Sequence, residues 1–101
     1  MSHKLIMALI RDDISEAVLD AAHDAGATGS TIINNARGEG AARRKTFFGL
    51  EMTSQTDVLL FVVEADQAQV VLSAIRDTAE FHENKGAGLA FLLDIESIVG
   101  I

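Results

Sequence analysis

The chain has 101 residues, of which 49% are hydrophobic and 23% charged, with a formal net charge of −7 and no cysteine. That length makes one domain with a core large enough to need no staples, and the lack of cysteine excludes disulfides, thiol catalysis and cysteine zinc sites. The acidic balance argues against nucleic acid as a partner, because phosphate neutralisation needs clustered cations, and the apolar run Leu5 to Ile10 is too short for a membrane span or signal-peptide core, so a cytoplasmic protein without membrane insertion is expected.

Lys4 to Arg11 reads as a strand. Leu5, Met7 and Leu9 point one way and Ile6, Ala8 and Ile10 the other, so both faces are apolar. Asp12, Asp13 and Glu16 supply helix-start signals, with Asp13 and Glu16 spaced as a capping box. Ile14, Val18, Ala21, Ala22 and Ala25 follow helical spacing, and Gly26 is placed to end the helix. Ser30 to Asn35 reads as a second strand and Asp57 to Glu64 as a third. Asp66 with Gln69 resembles another capped start, ahead of a helical stripe of Val71, Leu72, Ile75 and Ala79 that ends near Phe81. Leu89 to Ile95 reads as the last strand.

The order β-α-β, β-α-β points to a ferredoxin-like α+β sandwich, a four-stranded antiparallel sheet with two helices on one face. Two helices cover one sheet face only, yet the first, third and fourth strands are apolar on both. An exposed apolar face is an aggregation liability, so the second face is expected to pack against other copies of the chain; a monomer with a loop laid over the sheet is the alternative.

Residues 36–55 form a connection far longer than a hairpin needs. Arg37, Arg43, Arg44 and Lys45, with only Glu39 acidic before Gly49, give its first part a local charge of about +3 on a chain otherwise near −10. Two readings stay open: attraction of an anionic ligand or acidic partner, or a solvated loop kept exposed by its charges. Lacking apolar periodicity, residues 38–47 are expected to move freely without a partner. Phe47 and Phe48 are expected to pack where the loop re-enters the sheet. In His82 to Gly88, Gly86 and Gly88 can present backbone amides to an anion as a nest, or simply make a turn.

Several stretches occur together in an ordered spacing: Gly26-Ala27-Thr28-Gly29-Ser30-Thr31, Gly38-Glu39-Gly40, Phe48-Gly49-Leu50-Glu51, and Lys85-Gly86-Ala87-Gly88 followed by Phe91-Leu92-Leu93-Asp94-Ile95. With them the chain resembles the PII signal-transduction proteins over nearly its whole length, as a single domain of residues 1–101. The resemblance implies a homotrimer of ferredoxin-like subunits, a partner-binding T-loop at 36–55, a B-loop at 82–89, and adenine nucleotides held in clefts between subunits.

Carried over by position, the ligand cleft is lined by Leu9, Thr31, Arg37, Gly38, Gly40, Lys85, Gly86 and Gly88. The partner-binding part of the T-loop includes Arg43, Arg44, Lys45 and Phe47. The departures are specific. Leu89 stands where the family has a phosphate-binding Lys, and Ala87 where it has Asp. Ala41 and Ala42 replace the Arg and Gln that serve nucleotide and Mg–2-oxoglutarate binding. Phe47 replaces the Tyr that some members nucleotidylate. Gly100 takes the first place of a C-terminal Arg pair, and one extra residue lies between Thr31 and Gly38. The resemblance with these losses implies a site for a small anion or an adenine nucleotide of few phosphates, poor for MgATP and 2-oxoglutarate.

No catalytic constellation is visible. His3, His23 and His82 are scattered, no Ser or Thr has a neighbouring His/Asp pattern, and no metal site is expected. The carboxylates of Asp12, Asp13, Glu16, Asp20 and Asp24 fit the solvated side of a helix. A non-enzymatic regulator is therefore expected, controlling a membrane transporter or metabolic enzyme through its long loop. The alternatives are a trimeric interaction module without ligand sensing, a CutA-like trimer, or an ACT-like ligand-binding domain.

Overall fold

The computed structural model describes residues 2–36, 46–47, 50–51, 56–80 and 88–100. The strands are β1 (His3–Arg11), β2 (Thr31–Ala36), β3 (Thr46–Phe47), β4 (Leu50–Glu51), β5 (Thr56–Glu64) and β6 (Gly88–Asp94); the helices are α1 (Asp12–Asp24) and α2 (Ala68–Ala79). The main sheet has the order β2-β5-β1-β6, with every neighbouring pair antiparallel. This is the ferredoxin-like βαββαβ arrangement expected from the sequence.

Register assigns each strand residue to a face. Ile6 lies between Phe61 and Leu92, and Ala8 between Leu59 and Ala90. These positions carry the core: Ile6, Ile10, Leu59 and Phe61 from the sheet and Val18, Val71 and Ile75 from the helices are fully buried. The other face holds the intervening residues. Leu5 sits between Val62 and Leu93, Met7 between Leu60 and Phe91, and Leu9 between Val58 and Leu89, with Ile33 beyond Val58. Neither α1 nor α2 covers them, and Ile33, Val62 and Leu93 are 50%, 45% and 44% exposed, while Leu9 is buried. The two-sided apolar pattern thus resolves into one packed face and one open face, because β-strand side chains alternate.

Both expected side-chain caps are absent. α1 starts directly at Asp12 with Arg11 in the N-cap position and no side-chain cap bond. Asp13 lies one residue inside the helix, too far along to cap it, and instead accepts a hydrogen bond from Arg11 Nε at 2.7 Å. Its charge still suits the positive end of the helix dipole. α2 follows Gln67, again without a side-chain cap. Its entry is closed by the backbone, with Gln67 N–H donating to Glu64 O at 2.9 Å, so Asp66 has no capping task. It ends at Ala79, where Glu80 takes a left-handed φ of 52°.

The end of α1 follows the expectation for Gly26. The Gly26 N–H donates to His23 O and the Ala27 N–H to Ala22 O, the paired bonds of a Schellman motif. Gly26 has φ +124°, which a side chain would strain, and the Ala27–Ala22 contact is buried. The extra pair β3–β4, with Thr46 opposite Glu51 and Phe47 opposite Leu50, was not expected within the long connection. Two-residue strands are too short to leave a period in the sequence.

Candidate functional site

One end of the main sheet collects the ends of all the long connections. β1 finishes at Arg11, opposite Thr56 at the start of β5; Ile10 faces Gly88 at the start of β6; Ala36 at the end of β2 also faces Thr56. The segments 37–55 and 81–87 therefore both join the sheet here. The expected loop limits shift slightly: Ala36 belongs to β2, and Gly88 and Leu89 belong to β6.

Gly88 explains itself sterically. Its φ is +146°, and a Cβ there would overlap the Leu9 carbonyl oxygen. The backbones of β1 and β6 approach at a distance only glycine permits, which brings Leu9 and Gly88 together. Thr31 is elsewhere. It is exposed on β2, opposite Leu60, while Gly88 is on β6, so two strands separate them, about 14 Å at the usual strand spacing. Leu89, at the position of the family lysine, pairs with Leu9 on the open apolar face. Phe47 is placed in β3. Arg37, Gly38, Gly40, Arg43, Arg44, Lys45, Lys85 and Gly86, and most of the stretch expected to move freely, lie outside the described residues.

Two features of this end escaped the sequence reading. The first is Arg11, whose guanidinium is held by Asp13 and is raised above its ordinary pKa by that hydrogen bond and charge. The signal was present, an Arg two residues before an Asp, but it reads equally as a helix-start cluster. The second is a buried pair. Ser15 Oγ on α1 donates to Asp57 Oδ2 at 2.8 Å, with Ser15 and Asp57 5% and 7% exposed. Nothing local in the sequence links the two positions.

The opposite end of the sheet carries two concavities. One of about 550 Å³ lies between Ser2, His3 and the tail around Glu96 and Ile98. The other, of about 250 Å³, lies among His3, Thr28, Glu64 and Gln67. Glu64 and Glu96 make this end ill suited to an anion. Among the described residues, no three His, Asp or Glu side chains gather as a metal site, and no helix is long and apolar enough to cross a membrane.

The family model described as Nitrogen regulatory protein P-II matches residues 3–101. The nitrogen regulatory protein GlnK2 of Haloferax mediterranei is 34% identical over 102 residues, covering 97% of this chain and 82% of that protein. Among solved structures, CPII of Thiomonas intermedia bound to ADP and bicarbonate superposes with a TM-score of 0.70 at 22% identity, covering 94% of this chain and 87% of that one. CPII bound to ADP, AMP and bicarbonate gives 0.71 at 20% identity, covering 100% and 98%. A PII-like signalling protein of Thermus thermophilus gives 0.67 at 22% identity, covering 94% and 88%. The sheet order, the two helices on one face and the match along residues 3–101 lead to one assignment: this chain belongs to the nitrogen regulatory protein P-II family.

Proposed function

We propose that the protein is a trimeric regulator that senses an adenine nucleotide of few phosphates, together with a small anion, at clefts between its subunits. It signals the occupancy to a transporter or metabolic enzyme through residues 36–55, and acts by binding rather than catalysis. The observation that carries this reading is the separation of Thr31, on the edge strand β2, from Gly88 on the opposite edge strand β6 and from Leu9 on β1 beside it. One chain cannot close these residues around a ligand, whereas neighbouring chains packed through the open face can supply β2 from one copy and β6 from the next. The apolar character of that face supplies the driving force for such packing. The fold neighbour CPII carries ADP with bicarbonate, which supports the ligand class.

Cleft residues are Leu9, Thr31, Arg37, Gly38, Gly40, Lys85, Gly86 and Gly88, with Arg43, Arg44, Lys45 and Phe47 serving the partner. Titration calorimetry with ADP, AMP, bicarbonate, MgATP and 2-oxoglutarate tests the reading. ADP or AMP is expected to bind, with MgATP and 2-oxoglutarate weak or silent. Submicromolar, Mg²⁺-dependent ATP binding would contradict it.

A second reading is favoured by Leu89, a half-buried apolar side chain paired with the buried Leu9, where the family carries a lysine. On this reading the trimer has lost ligand sensing and acts as an interaction module. An assembled protein that binds none of the five compounds would establish it over the first.

A further inference from the structure

Arg11 closes β1 two residues beyond Leu9 and, by strand alternation, on the same face. Its backbone partner is Thr56, the residue at which the long connection returns to the sheet. Three cations stand among the described residues: Lys4, Arg11 and Arg76. Lys4 is at the far end of the sheet against Asp94, and Arg76 is on α2 against Asp77. Arg11 alone of the three occupies the end where segments 37–55 and 81–87 meet the sheet.

Its side chain is half-buried and held. Asp13 Oδ1 takes the Nε hydrogen at 2.7 Å, and among the described residues the Nη hydrogens have no partner. A guanidinium fixed through Nε still offers its Nη1–Nη2 edge as a planar fork, the shape that takes a carboxylate through two parallel hydrogen bonds. The surroundings limit the charge such a ligand can carry. Asp12 and Asp13 leave the local sum at about −1 with Arg11 counted. Repulsion from them grows with ligand charge, so at the Arg11 fork itself a monoanion is favoured over a more highly charged group.

We infer that Arg11, oriented by Asp13, is the anion-binding residue of the cleft and selects a small planar monoanion of the carboxylate or bicarbonate type. The inference rests on the ligand-sensing reading above and adds to it a residue and a ligand class. It also gives the cleft a side-chain cation on the rigid sheet, independent of the long connections.

The test is calorimetric titration of bicarbonate, and separately of acetate, into the protein saturated with ADP. Arg11→Gln is expected to weaken both anions by about tenfold or more and to leave ADP within about threefold. Arg11→Lys, which keeps the charge and loses the fork, is expected to lose most of the anion affinity too. Wild-type anion affinity in either variant would overturn the inference. If the wild-type protein binds ADP but neither anion, the inference fails while the nucleotide reading stands. If it binds neither ADP nor the anions, the ligand-sensing reading fails, and the inference with it.

Discussion

Ser15 and Asp57 are joined by a 2.8 Å hydrogen bond in a buried position, although 42 residues separate them in the chain. The bond ties the first turns of α1 to the start of β5, one residue after Thr56, where the long connection rejoins the sheet. Ser15 Oγ also lies 3.1 Å from the Asp12 carbonyl oxygen, so the hydroxyl has a second acceptor, while among the described residues Ser15 is the side-chain donor to the carboxylate. Removing the two partners is therefore unequal in effect. Ser15→Ala strands a buried carboxylate and is expected to cost about 1.5–3 kcal/mol. Asp57→Asn keeps an oxygen acceptor and is expected to cost less. Urea unfolding of both variants at one fixed protein concentration checks the order, and a larger loss in Asp57→Asn would contradict it.

Gly88→Ala should be among the most damaging single changes at this end of the sheet. The added methyl meets the Leu9 carbonyl oxygen, which is backbone and cannot rotate away, and the φ of +146° is strained for any side chain. A loss of about 3 kcal/mol or more is expected, or failure to fold. Gly29, whose added Cβ would meet nothing within 4 Å, is the control, and Gly29→Ala is expected to change the melting temperature little.

The two sheet faces separate folding from assembly. Phe61 is fully buried under the helices, and Val62, its neighbour, is 45% exposed on the open face. Phe61→Asp places an unpaired charge in the core and should abolish folding. Val62→Asp should leave the subunit folded by circular dichroism and disrupt the oligomer. Equal loss of secondary structure in both variants would show that the open face is part of the subunit core after all.

The strand and helix order, the apolar stripes of the helices and the two-sided apolar pattern of the strands were legible in the sequence, because each rests on a local period of alternating or helical spacing; which sheet face the helices cover was not, because both faces carry the same apolar pattern. Gly26 was legible for the same reason, since its left-handed turn is a local need. The caps misled because Asp13 and Asp66 have the right chemistry but miss the N-cap positions, Asp13 by two residues and Asp66 by one. The Ser15–Asp57 bond depends on tertiary contact and leaves no local trace. The extra residue between Thr31 and Gly38 was visible, but its structural form was not. Ile33 faces Val58 and Ala36 faces Thr56, so three steps along β2 oppose two along β5. The register shift absorbs one residue before segment 37–55 begins, as a β-bulge does. Of the cleft, only Leu9, Thr31 and Gly88 fall among the described residues. Arg11 was hidden in plain view, because an Arg-Asp-Asp run at a strand-to-helix junction reads first as helix-start chemistry.

Deleting Asn34 tests the bulge. A bulge-free β2 would pair its residues with β5 one for one, so the fold is expected to survive with little loss of stability. Ligand affinity is expected to fall, because the chain would enter segment 37–55 one residue earlier. An unchanged ADP isotherm in a stable deletion variant would contradict a positioning task for the bulge.

The most direct measurement is the molar mass of the protein at micromolar concentration by multi-angle light scattering. Ligand sites shared between copies require assembly through the open face of Leu5, Met7, Leu60, Val62 and Phe91. The expected mass is three times the 10.8 kDa of one chain, falling to the single-chain mass in Val62→Asp. A wild-type protein that runs as a monodisperse 10.8 kDa species would contradict both the trimer and the intersubunit cleft.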